Sequence, residues 1–178
     1  ISGRERSTMS ETYTLYKLIV LCMLDKVDFP LTTSQISEFI LEKEYTTYFK
    51  LQETLAEMEH SGLLRVETTH NRTLYHLTDN GLDTIQYFKN KISPAIQRDI
   101  DEFLKEKKYD LKEEVSVKSD YYLNTNHEYE VCCQIVENGF SLIDLKLTVP
   151  TESEAEAIAG NWASQSQDIY TLLLAKLL

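Results

Sequence analysis

Two apolar stripes run down residues 11–27. Leu15, Leu18, Ile19 and Cys22 make one; Tyr13, Tyr16, Val20, Leu24 and Val27 make the other. Residues three and four apart share a helix face, so the segment predicts a helix apolar on two sides and buried on two sides. One side packs in its own domain, and the other calls for a further partner such as a second subunit. Asp28-Phe29-Pro30 ends the helix. Thr32 or Thr33 caps a second helix, running to about Lys43, with Ile36, Phe39 and Ile40 as its buried stripe. Thr46 or Thr47 caps a third over residues 48–60, where Leu51, Leu55 and Met58 share one face and Gly62 closes the end.

The period then changes from helix to strand. Residues 63–69 and 73–78 are β-like runs joined by the polar tip His70-Asn71-Arg72. Asp79-Asn80-Gly81 turns the chain into a fourth helix with Leu82, Ile85 and Phe88 on one side. Ser93-Pro94 is the best domain boundary, because Pro94 suits a first helical turn and Ser93 its cap. The helix it opens carries Ile96, Ile100, Phe103 and Leu104 and is expected to end near Lys107-Lys108.

Past that point the pattern alternates. Val115, Val117 and Tyr121 predict a strand over residues 110–123. Tyr129, Val131, Cys133 and Ile135 predict a second, and Ile143, Leu145, Leu147 and Val149 a third. Asn138-Gly139 is a two-residue hairpin signal between the last two. Thr151 to Glu154 reads as a capping box opening a long helix with Ala155, Ile158, Ala159, Trp162 and Ile169, which can cover the apolar face of the meander. The expected fold class is α+β: an N-terminal winged helix-turn-helix over residues 9–92, then a three-stranded antiparallel sheet covered by a long helix over 93–178. Residues 1–8 read as a cloning remnant, with Met9 as the natural start.

Composition changes this picture only at the margins. A chain of 178 residues with 42% hydrophobic and 26% charged residues is that of a soluble globular protein. The longest apolar run, residues 18–24, is far short of the roughly 18 needed to cross a bilayer. No secretory signal precedes it, so the expected compartment is the cytoplasm. Cys22, Cys132 and Cys133 read as small buried hydrophobes, and Cys132 and Cys133, being adjacent, should face opposite ways. The four histidines have no ligand spacing, so no metal and no cofactor are expected. The absence of any nucleophile–base signature or phosphate loop argues against an enzyme.

The net charge of −11 weighs against DNA, whose phosphates require local positive charge. Residues 11–91 carry eight basic against twelve acidic side chains, and residues 92–178 eight against sixteen. The acid is concentrated in the second half, but the first half has no basic excess. Modest affinity, helped by a dimer, is the consequence.

A helix closing on Gly62-Leu63-Leu64, two strands, then Tyr75-His76-Leu77-Thr78-Asp79-Asn80-Gly81 resembles winged-helix regulators of the PadR, MarR and ArsR groups over residues 15–88. Tyr13-Thr14-Leu15-Tyr16-Lys17 and Asp28-Phe29-Pro30-Leu31-Thr32 resemble a Gram-positive bacterial family known as a domain of unknown function that begins with a winged helix. The resemblance implies that the third helix enters the major groove of double-stranded DNA and that the hairpin, the wing near residues 68–74, touches the adjacent backbone or minor groove.

Within that frame geometry selects the contacts. If Leu51, Leu55 and Met58 face inward, Thr46, Phe49, Lys50 and Glu53 face outward. Thr46 and Thr47 lie at the helix N-terminus, where free amides can meet a phosphate. Lys50 suits a phosphate or guanine, Phe49 a thymine methyl, and Glu53 the amino group of cytosine. Arg72, with His70 and Asn71, suits phosphate or a narrow minor groove. The expected protein is a dimeric transcriptional regulator, with a small-molecule effector left open among the aromatic residues Tyr121, Tyr122, Tyr129 and Trp162. The alternatives are an acidic winged-helix module for protein partners and a ligand sensor that does not bind DNA.

Overall fold

The structure is a computed structural model. It describes residues 2–178, and within the first helix the side chains of Glu11 and of residues from 14 onward; Tyr13, expected in the second stripe, has its side chain outside the described residues, as does Ile1 entirely. The described chain is mixed α+β, with six α-helices and two three-stranded antiparallel sheets. It divides into two compact units. The first contains the chain up to Thr68 together with Thr73–Leu111, and the second contains Thr69–Arg72 and Lys112–Leu178. Among the described residues, no helix is long and apolar enough to cross a membrane.

The first unit runs α1 (Ser2–Asp25), β1 (Leu31–Thr32), α2 (Thr33–Glu42), α3 (Tyr48–His60), β2 (Leu64–Thr68), β3 (Thr73–Leu77) and α4 (Asp79–Phe88), followed by a short 3-10 turn and the start of α5 (Pro94–Ser116). Its sheet has the order β1-β3-β2, with Leu31 opposite Tyr75 and Val66 opposite Tyr75 on the other side. Strand β1 is a two-residue bridge that periodicity could not reveal. Helix α1 begins at Ser2 rather than Glu11 and stops at Asp25, two residues short of Val27. Residues 18–24 are all buried in the core of this unit, as is Tyr16. Over its described residues 16–24, α1 is therefore closed on both sides by the chain's own helices and sheet, and this part of its second stripe does not call for another subunit.

Thr32 caps α2 in a full capping box with Gln35, and the Gln35 side-chain amide also donates to the Leu111 carbonyl, 3.2 Å away. Thr78 caps α4, so Asp79-Asn80-Gly81 is the first turn of that helix rather than a loop before it. The Thr78 hydroxyl accepts from the Gly81 amide at 3.0 Å and donates to the carbonyls of Gly62 and Leu63. A Cβ on Gly81 would lie 2.3 Å from the Leu63 oxygen, which explains why the closing motif ends in glycine.

Helix α5 continues to Ser116, past its expected end at Lys107-Lys108. Leu104, Leu111 and Val115 are spaced by seven and four and are all buried, so the helical stripe persists where Val115 and Val117 looked like the start of a strand. Glu113 and Glu114, expected on a strand, are exposed on this helix instead.

The second unit has β4 (Val117–Leu123), β5 (Tyr129–Glu137) and β6 (Phe140–Val149) as a meander, then α6 (Glu152–Leu177). Asn138 and Gly139 both have positive φ, 51° and 81°, as a tight primed hairpin turn requires. Val131, Cys133, Ala155, Ala159 and Trp162 form the buried centre between sheet and helix. The Trp162 indole donates to the Gln134 carbonyl at 3.1 Å, and the Ser119 hydroxyl to the Ala159 carbonyl at 2.8 Å. Cys132 lies on the opposite face from Cys133, whose thiol burial pushes up to about 11. Helix α6 lies chiefly over β4 and β5.

Candidate nucleic-acid interface

Helix α3 starts on a well-anchored turn. Tyr45 packs its ring on Phe39, with centroids 5.7 Å apart, and its amide donates to the Ile40 carbonyl at 3.0 Å. Its hydroxyl donates to Asp99 at 2.5 Å, and Lys43 lies 3.6 Å from the same carboxylate. Burial, then the Asp99 contact, pushes the Tyr45 hydroxyl well above its ordinary value. The Tyr45 hydrogen bond, then Lys43, holds Asp99 low, so the pair stays neutral hydroxyl and charged carboxylate at physiological pH.

Two residues later Thr47 caps α3, its hydroxyl accepting from the Lys50 amide at 3.4 Å. Leu51, Leu55 and Met58 are buried, each a gain of about 2 kcal/mol. That fixes the rotation of the helix and turns Phe49 out, 85% exposed, with Lys50 and Glu53 also exposed. Thr46 is different. It is half-buried, and its hydroxyl oxygen is out of solvent without a hydrogen-bond partner, so the hydroxyl is not offered to a phosphate.

The sequence reading missed Tyr48. It is 50% exposed, and its ring meets that of Phe49 edge-on at 6.2 Å. Adjacent aromatics at the first two positions of a helix were the available signal. Three carboxylates follow along the helix: Glu53 and Glu59 are exposed, and Glu57 pairs with Lys17 at 2.8 Å.

The hairpin tip, Thr69–Arg72, belongs to the second unit. Its turn is held by the Thr69 amide donating to the Arg72 carbonyl at 2.9 Å. The Arg72 guanidinium donates to two backbone carbonyls, Glu114 at 2.5 Å and Val117. The His70 ring stacks on Tyr121, with centroids 4.0 Å apart and planes 12° from parallel, and its Nδ1 contacts Asp120. Burial alone would raise the Asp120 carboxyl. Hydrogen bonds from the His70 ring and the amides of Tyr121 and His70 outweigh it and hold the group below its usual range. Asn71 is exposed at the apex.

The eight candidate residues thus fall in two units, five around the start of α3 and three at the tip. A further surface feature of the first unit is an open depression of about 360 Å³, where apolar Val27, Phe29 and Leu77 meet Asp25, Asp28 and His76. The His76 ring already contacts Glu67 at 2.9 Å.

The fold defines the chain as a mixed α+β protein. The chain belongs to the family described as a domain of unknown function, DUF4364, whose model matches residues 16–177. Comparison with curated proteins and with solved structures found no match.

Proposed function

We propose that the first unit is a winged helix and that the protein is a transcriptional regulator binding double-stranded DNA as a homodimer through the N-terminal half of α3. The order α1-β1-α2-α3-β2-β3 with β3 central in the sheet supports the winged-helix reading, because it sets α3 against a small sheet as that class requires. The observation that carries the DNA reading is the polarity of α3. One face is closed by Leu51, Leu55 and Met58, while the capped N-terminus presents Thr47, Phe49 and Lys50 to solvent. Free amides and the positive end of the helix dipole favour a phosphate there. Lys50 adds the charge and Phe49 an apolar contact for a thymine methyl. With so few cations, one copy offers too little contact for a specific site, and two copies on a two-fold operator remedy that.

One set of observations favours a second reading, a module for protein partners. The exposed Tyr48–Phe49 pair, the surrounding carboxylates and the engaged Arg72 all suit a protein surface better than a polyanion. Fluorescence anisotropy with fragments of the protein's own promoter at low salt separates the two. Saturable binding that weakens steeply with salt supports the regulator; no binding, with a protein co-purifying through Phe49, supports the module.

A further inference from the structure

Strand β6 has a free edge. Strand β5 pairs with one side, and among the described residues no strand pairs with the other. An unpaired row of amides and carbonyls attracts another strand, and proteins blunt such edges with proline, several charges, a bulge or a covering helix. Here the register jumps from Ile135 opposite Ile143 to Val136 opposite Ser141, so the bulge falls at Leu142, next to the turn. From Ile143 to Val149 the strand is regular, with no proline and no glycine. Helix α6 lies chiefly over β4 and β5 and covers this edge poorly. Leu147, on the side that faces α6, remains 44% exposed, and Phe140 is 77% exposed.

The charges on this run have a pattern. Asp144 and Lys146 are its only two, they are opposite in sign, and they share the face away from α6. We propose that two copies of this chain join through their β6 edges, antiparallel about a two-fold axis at Leu145, so that Asp144 of each copy faces the partner's Lys146.

The register follows from side-chain alternation. A pairing that keeps Ile143, Leu145 and Leu147 on the covered side must pair residues of like parity. With the axis at Leu145, Ile143 faces the partner's Leu147, and the two leucines at the axis face each other. Both Asp144–Lys146 contacts then form, once on each side of the axis. Moving the axis to Asp144 or to Lys146 sets two like charges face to face, which disfavours both neighbouring registers. The partners these groups already have leave capacity for this contact. Asp144 accepts from the Gln134 side chain at 2.8 Å, and a carboxylate has lone pairs to spare. Lys146 lies 3.2 Å from Glu130 with its side chain 62% exposed, and an ammonium carries three donors.

This surface deepens the two-copy part of the proposed function and is independent of DNA. The test is sedimentation velocity without DNA on the wild type, Asp144→Lys, Lys146→Asp and an equimolar mixture of the two variants, with circular dichroism confirming their folds. The wild type should dimerise, and each variant alone should associate about tenfold more weakly or worse, because both contacts turn repulsive. The mixture should recover dimers, because one variant then presents two cations to the two anions of the other. Should Lys146→Asp unfold beside Glu130, Lys146→Gln replaces it and should weaken association a few-fold. A monomeric wild type overturns this pairing. A dimer that neither variant nor the mixture disturbs overturns the pairing and leaves the regulator standing.

Discussion

At the start of α3, Phe49 and Lys50 stand in solvent on a helix whose far side is closed by Leu51, Leu55 and Met58; at the β2–β3 tip, Arg72 and His70 already bond to protein. In the sequence each region offers one cation, Lys50 or Arg72. The difference is in what surrounds the cation. Lys50 lies on an exposed helical turn, whereas Arg72 finds two backbone carbonyls and His70 finds Tyr121 and Asp120. A formal positive charge counts toward DNA affinity only when it has no closer partner, because a guanidinium bound to carbonyls must give them up to reach a phosphate.

The comparison can be broken most forcefully inside α3 itself. Leu51→Ala should cost about 2–5 kcal/mol by urea denaturation, because it leaves a cavity in the first core. Phe49→Ala, on the opposite face, should change stability by less than about 0.5 kcal/mol while weakening ligand binding by either reading of the helix. Equal costs for the two would mean that the helix is rotated from its described position. The next effect is at the tip. Arg72→Ala should cost about 1–2 kcal/mol, the value of charge-assisted hydrogen bonds in a partly exposed setting, and leave the salt dependence of DNA binding unchanged.

The smallest effect concerns pH. Asp120 titrates below its unfolded value, so its contribution to stability is complete above the ordinary carboxylate range, about pH 4, and is lost as pH falls through the lowered folded value. The stability advantage of the wild type over Asp120→Asn should therefore shrink below about pH 4. An advantage that persists into acid would remove Asp120 from the anchoring of His70.

Local signals explain which parts of this were legible. Caps and turns are encoded within four residues, so Thr32, Thr47 and Thr151 as caps and Asn138-Gly139 as a hairpin could be read directly or nearly so, whereas Thr78 as the cap of α4 went unread. The end of α5 could not, because Val115 and Val117 fit a strand period as well as Leu111 and Val115 fit a helical one, and only burial decides between them. The outward face of α3 was legible from three apolar positions. The inward turn of the Thr46 hydroxyl and the engagement of Arg72 and His70 were not. Their partners at Glu114, Val117, Asp120 and Tyr121 lie more than forty residues away, beyond the reach of periodicity. The closure of α1 by its own unit was hidden for the same reason.

The decisive measurement is the salt dependence of affinity for promoter DNA in the wild type and in Lys50→Ala. With α3 as the reading helix, the wild type binds at low salt and the logarithmic slope falls by about 0.9 per Lys50 removed. An identical slope in the two proteins, or no binding by the wild type at low salt, would contradict the assignment of α3 to DNA.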